Sequence, residues 1–177
     1  RSLVCRVKEK DGFVISDTDQ DVLRMAVIER HKATGNVGLG FVSGFGLDKG
    51  AIATSVAHDS HNVIVVGVSS KDMLVAARSI EKMNGGLAVV ENCEIEASLP
   101  LPIAGLLSDR PMDEVVQGID EVISAAHGLG CKLNDPFMTL SFLCLPVIPE
   151  LKLTDQGLVD VNKFDFVDLF LKEDVNE

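Results

Sequence analysis

Five consecutive polar residues, His58, Asp59, Ser60, His61 and Asn62, interrupt an otherwise apolar part of the chain. Two imidazoles three residues apart, with a carboxylate between them, can bind a metal ion or transfer protons. The alternative is a surface turn in which the Asp and Asn side chains satisfy backbone groups. The spacing differs from the i, i+4 histidine pair of a helical zinc site. Because loops between rigid strands often carry functional groups, we take His58, Asp59 and His61 as candidate site residues, with both interpretations open.

Four glycines, Gly38, Gly40, Gly44 and Gly46, suggest a nucleotide-binding loop. A dinucleotide site needs a strand, then GxGxxG, then a helix. Here Gly44 comes one residue too late for that spacing, and the apolar pattern that follows is typical of a strand. We therefore predict that these glycines allow tight backbone packing against another element.

The other two histidines and the four cysteines have simpler explanations. His31 and His127 each follow a predicted helix, where contact with the helix dipole accounts for a basic side chain. No cysteine lies within four residues of another, so the chain has no CxxC pair for zinc or redox chemistry. Nothing in the cysteine pattern requires an oxidising compartment, so we expect the cytoplasm.

The charge balance excludes one class of partner. The 177 residues include 16 basic and 27 acidic side chains, a net charge of -11, whereas phosphate binding needs clustered Lys and Arg. We expect no nucleic acid partner.

The longest apolar runs, 63–68 and 142–148, are far shorter than the roughly 20 residues of a membrane span. No secretory signal is recognisable. The chain begins with Arg1 rather than Met, which suggests a processed product or a piece of a longer protein.

Hydrophobic periodicity predicts an α/β (α+β-like) fold, with a mixed sheet and about three packed helices in a single domain. The first region predicts strands at 3–7 and 13–15 around an Asp11-Gly12 turn, then a helix that contains Val22 to Glu29 and ends near His31. Further strands are predicted at 39–42, 51–56 and 63–68, and a hairpin at 87–90 and 95–99. Helices are predicted from Ser69 to the 84–86 stop, from Pro111 to Gly128, and briefly after Asp135-Pro136. We expect the acidic tail after Phe170 to fray.

Several long, irregular segments of the sequence are distinctive. The longest are DPFMTLSFL at 135–143, LPVIPELKLTD at 145–155 and SVAHDSHN at 55–62. Shorter ones are VIERH at 27–31, GNVGLGF at 35–41, GFGL at 44–47, GAIA at 50–53, LPLPIAG at 99–105 and GLVD at 157–160. Together these segments extend over about residues 20–167, and they resemble the C-terminal part of adenine deaminases in the amidohydrolase superfamily.

The resemblance implies an enzyme that converts adenine and water to hypoxanthine and ammonia in purine salvage. In that family a (β/α)8 barrel holds two metal ions, typically iron or manganese. The metals lower the pKa of a bound water, and a carboxylate moves protons to the leaving ammonia. The first metal ligands of the superfamily are a His-x-His pair, which this chain lacks. A barrel also needs about 250 residues, so we expect the catalytic metal centre upstream, and an isolated chain that is inactive.

Two roles for residues 1–177 then compete. The turn at His58, Asp59 and His61 can reach the barrel mouth and help to close the purine pocket. Alternatively, the chain is a structural or oligomerisation module, with apolar segments such as 137–148 packing on the barrel or on a second subunit. A regulatory small-molecule module ranks last, because no ligand loop is convincing. We expect the full enzyme to be a homo-oligomer.

Overall fold

A computed structural model describes residues 2–171, in which β-strands predominate. The strands are β1 Lys8–Lys10, β2 Phe13–Ile15, β3 Leu23–Ile28, β4 Val37–Val42, β5 Ala51–Thr54, β6 Val63–Gly67, β7 Gly86–Glu91, β8 Glu94–Pro100, β9 Leu151–Thr154, β10 Gly157–Asp160 and β11 Asp165–Phe166. The helices are α1 Ser70–Lys82, α2 Met112–Gly128 and α3 Pro136–Ser141.

Six strands form the main sheet in the order β4-β3-β6-β5-β7-β8. Its strand pairs are antiparallel throughout. The predicted α/β class with three helices is therefore confirmed for the described residues, while the sheet is antiparallel rather than mixed. Two small sheets, β1-β2 and β9-β10-β11, accompany the main one.

The helices cover the two faces of the main sheet and create two apolar cores. Ala76 and Ile80 of α1 pack with alternate residues of the central strands, such as Val63 and Val65. On the opposite face, α2 and α3 pack against the larger core. Every residue of β5 and β6 is buried. For β6 this agrees with the nearly continuous apolar run at 63–68, which is typical of a strand covered on both faces.

The predicted helix from Val22 to about His31 is wrong, because β3 occupies most of this segment. Val22, Met25, Ala26 and Glu29 do fit a helical spacing, but β3 lies between β4 and β6 and pairs with both. The buried residues of β3 pack on both faces of the sheet, so pairing with distant strands overrides the local helical periodicity.

The other helix predictions are confirmed, including their end signals. The Ser69 side chain accepts a hydrogen bond from the Asp72 backbone N–H and caps α1. Asp135 caps α3 through the Met138 N–H, and Pro136 occupies the first turn. The hairpin of β7 and β8 is also confirmed.

The chain ends show further differences from the predictions. The Asp11-Gly12 turn joins Lys8–Lys10 to Phe13–Ile15, so the first strand begins after the predicted 3–7 segment. The hairpin of β9 and β10 was not predicted. Most of the tail expected to fray, 172–177, lies outside the described residues. Among residues 2–171, no helix is long and apolar enough to cross a membrane.

The glycines of β4 allow the β9-β10 hairpin to approach the main sheet. A Cβ added at Gly38 would lie 1.8 Å from the Thr154 carbonyl oxygen, which is far inside van der Waals contact. The three atoms nearest to a Cβ added at Gly40 all belong to the Leu153 side chain, with Cδ2 at 3.2 Å. The predicted close packing is therefore confirmed for these two glycines, but it is wrong for Gly44, where an added Cβ would meet nothing within 4 Å.

Gly38→Ala is expected to destabilise the chain by about 1–3 kcal/mol, because the new methyl group meets rigid backbone. Gly40→Ala is the matched control in the same strand. It should cost less than about 1 kcal/mol, since the Leu153 side chain can move aside. Urea unfolding of both variants measures the difference, and equal stability would show that the hairpin is not held against Gly38.

Candidate functional site

The turn that contains the candidate residues connects the two central strands β5 and β6. The His61 N–H donates to the Ala57 carbonyl over 2.5 Å, and the Ala57 N–H donates to His61 Nδ1 over 3.3 Å. Asp59 and Ser60 are exposed at the tip, while His58 and His61 are half-buried. The two imidazole rings lie 5.9 Å apart. The structure therefore brings His58, Asp59 and His61 together on a backbone fixed by short-range hydrogen bonds.

Helix α3 and the residues after it hold one side of this turn. The His58 N–H donates to the Ser141 carbonyl over 3.1 Å, and the His58 ring lies 4.9 Å from the Phe142 ring. The Cys144 Sγ–H donates to the His58 carbonyl over 3.3 Å. Burial raises the pKa of Cys144 to about 11, so the thiol stays protonated and remains a donor at neutral pH.

The segment after β3 holds the other side of the turn. Arg30 donates from Nε to the His61 carbonyl over 2.5 Å and from Nη2 to the Ala104 carbonyl over 2.7 Å. His31 Nε2 lies 2.7 Å from the Ser60 carbonyl oxygen. The expectation that His31 interacts with a helix dipole is therefore wrong, because no helix precedes it. Arg30 was missed, although it lies in the recognisable 27–31 segment.

Glu29 orders the loop that presents Arg30 and His31. Its carboxylate accepts hydrogen bonds from the N–H groups of His31, Lys32 and Thr34, and from the Thr34 hydroxyl. The N–H of Thr34 is the main cause that lowers the pKa of Glu29 to about 2. The loop is therefore supported by an ionised carboxylate at any pH near neutrality.

A third anchor comes from the turn between β9 and β10. The Asp155 carboxylate accepts from the Asn62 side-chain amide over 3.2 Å and from the Asn36 amide over 3.3 Å. Asn62 is buried at the point where the turn enters β6. The unpredicted hairpin thus explains why an asparagine ends the polar segment.

The electrostatic surroundings keep His61 neutral. Partial burial lowers its pKa below 6.5, and the nearby His58 and Arg30 add to this effect against the opposing charge of Asp59. A neutral ring whose Nδ1 accepts a hydrogen bond carries its proton on Nε2. His61 can therefore donate one hydrogen bond from Nε2 at neutral pH.

An NMR titration of the His61 ring should give a midpoint below 6.5. Because the folded-state pKa is the lower one, the unfolded chain binds more protons, and stability rises with pH in this range. The contribution of His61 to stability is present above pH 6.5 and is lost as the pH falls towards the folded pKa. A midpoint at or above 6.5 would contradict this account of the site.

The remaining candidates lie elsewhere. His127 is at the end of α2, as predicted, with Nε2 2.8 Å from the Leu133 carbonyl oxygen. The backbone N–H groups of the glycine-rich loop already have a partner within the chain. Those of Gly44 and Gly46 donate to the Asp21 carboxylate over 2.5 and 2.8 Å. A phosphate would have to displace this internal anion. Among residues 2–171 there is no group of three or more His, Cys, Asp or Glu side chains arranged to hold a metal ion.

Comparison with known proteins identifies extensive similarity. Residues 1–165 match the family model described as adenine deaminase C-terminal domain. Adenine deaminase of Desulfatibacillum aliphaticivorans is 58% identical over 164 residues, which cover 93% of this chain and 29% of that protein. Adenine deaminase of Methanothrix thermoacetophila is 58% identical over 171 residues, or 97% of this chain and 30% of that protein. The chain thus spans about 30% of the length of these curated relatives.

Proposed function

We propose a function from the premise that this chain belongs to the adenine deaminase C-terminal domain family: it is the C-terminal part of an enzyme that hydrolyses adenine to hypoxanthine and ammonia. Relatives named adenine deaminase are more than three times longer than the matched region. The remaining, upstream part of such an enzyme would carry the catalytic metal centre.

The free thiols of the four cysteines suit a reducing cytoplasm. A homo-oligomeric enzyme stays a prediction.

The metal chemistry does not fit this chain. The described residues contain no suitable ligand cluster, and His58 and His61 have their ring centres 5.9 Å apart in a T-shaped arrangement. Iron or manganese would therefore be held by the upstream barrel. The residues of this chain would act on the substrate through hydrogen bonds and shape.

In this proposal the turn at His58, Asp59 and His61 closes the purine pocket of the upstream barrel. Adenine offers ring nitrogens that accept hydrogen bonds and an amino group that donates them. The Nε2–H of neutral His61 suits a ring nitrogen, and the exposed Asp59 carboxylate suits an N–H donor. Both groups would orient the substrate. Correct orientation increases the reaction rate, because the reacting atoms must be held in a productive geometry.

The observation that carries this proposal is the number of independent anchors on one short turn. Ser141 at the end of α3 and Cys144 just after it bind His58, Arg30 binds His61 from the segment after β3, and Asp155 binds Asn62. A solvent-exposed connection between two strands does not need three separate supports. A site that must present polar groups precisely does need such support.

The location of the chemistry can be tested by ammonia release from adenine with iron or manganese added. We expect the full-length enzyme to be active and the isolated chain to be inactive at equal concentration. The isolated chain without added metal is the control for background hydrolysis. Metal-dependent ammonia release by the isolated chain would place a metal site here, with His58 and His61 as the first ligands to examine.

A further inference from the structure

Six large apolar side chains are exposed in two chain segments, 103–107 and 138–148, that are joined to the polar turn by hydrogen bonds or ring contact, and we call them the apolar collar. Their exposed fractions range from 40% at Phe142 to 65% at Val147. The collar consists of Ile103, Leu107, Met138, Phe142, Val147 and Ile148. In a chain with a net charge of -11, a group of exposed apolar residues beside a functional candidate indicates an interaction surface.

The collar lies on both sides of the turn. On one side, Phe142 contacts the His58 ring, and Val147 follows closely after Cys144, which donates to the His58 carbonyl. On the other side, Arg30 joins the His61 carbonyl to that of Ala104. Ala104 lies in the tight loop closed by hydrogen bonding between Ile103 and Leu107.

This arrangement places apolar groups around a polar centre. Such a rim excludes water from the contacts that it surrounds, and hydrogen bonds at the centre become stronger as a result. A lid over a catalytic pocket needs that combination, because a closed site must keep bulk water away from the reacting atoms.

The position of the N-terminal end of the described chain indicates what covers the collar. The Ser2 N–H donates to Glu150 Oε2 over 2.5 Å, and Glu150 follows the collar residues Val147 and Ile148 after one proline. In a protein as long as the relatives, polypeptide upstream of this chain would therefore reach the domain near the collar. Since the chain is about 30% of its relatives and matches their C-terminal domain, a large part of such a chain would enter here.

We propose that the apolar collar packs on the upstream catalytic region of the same polypeptide and seals the mouth of its substrate pocket around the 58–62 turn. This inference rests on the proposed function and adds to it the surface and the residues that make the contact with the upstream region. It assigns the contact to an intramolecular interface rather than to a second copy of the chain.

Thiol labelling of the full-length enzyme tests this interface. Val147→Cys places the probe in the collar. Leu74→Cys is the matched control, because Leu74 is 60% exposed on α1, on the opposite face of the sheet. Labelling is read for each peptide by mass spectrometry, first in the native protein and then in urea, where both thiols should react equally.

In the native enzyme we expect the thiol at position 147 to react at least about 10-fold more slowly than the thiol at position 74, because labelling requires the interface to open. Equal native rates would overturn the proposal. Protection that disappears on dilution would assign the collar to a second copy and would also overturn it. If His61→Ala loses activity while the two thiols are labelled equally, the collar interface is rejected and the role of the turn is retained. If the thiol at position 147 is protected while His61→Ala keeps full activity, the proposed role of the turn is rejected.

Discussion

Replacement of His61 by Ala in the full-length enzyme should lower kcat/KM for adenine by roughly 100-fold, the loss typical of a substrate held about 1 Å from its productive position. His61 offers a fixed Nε2–H donor, because its Nδ1 accepts from the Ala57 N–H. Truncation removes this donor and leaves the backbone of the turn without the ring that braces it. Steady-state ammonia release at several adenine concentrations measures the change.

Two further variants separate function from folding. His127→Ala removes an exposed histidine at the end of α2 and should leave kcat/KM unchanged. His61 has a positive φ of 49°, which Asn tolerates better than Ala. His61→Asn should therefore keep the fold and still lose most of the activity. Unchanged kcat/KM in both His61 variants would reject the proposal that the turn helps to close the purine pocket.

Leu140→Ala should destabilise the isolated chain by about 2–5 kcal/mol, as expected for a fully buried leucine whose removal leaves a cavity. Leu140 is completely buried in the larger core. It anchors α3, which supplies the Ser141 carbonyl that binds His58. Urea unfolding followed by circular dichroism gives the free energy of unfolding.

The control for this substitution lies in the same helix. Met138 is 49% exposed, so Met138→Ala should change the stability of the isolated chain by no more than about 0.5 kcal/mol. If both variants unfold at the same urea concentration, α3 does not contribute to the core as the structure indicates.

Local sequence signals predicted those parts of the fold whose stabilising contacts are local. The caps Ser69 and Asp135 lie at the starts of α1 and α3, where they were expected. The segment at Leu23–Ile28 was predicted incorrectly because its spacing suits a helix on its own. Only pairing with β4 and β6, which are distant in sequence, makes it a strand.

The candidate site shows the same division between local and long-range information. His58, Asp59 and His61 could be identified because consecutive polar residues between apolar strands form a local signal. Arg30 and Asp155 could not, since their contacts with the turn span 31 and 93 residues of sequence. Their side chains are ordinary surface types, and only the folded chain places them beside the turn.

The most direct test of the account compares adenine deamination by the upstream region alone with that by the upstream region mixed with this chain. The account predicts little ammonia release from the upstream region alone, restored activity on addition of the wild-type chain, and no restoration by the His61→Ala chain. Full activity of the upstream region without this chain would contradict the central claim that the 58–62 turn completes the active site.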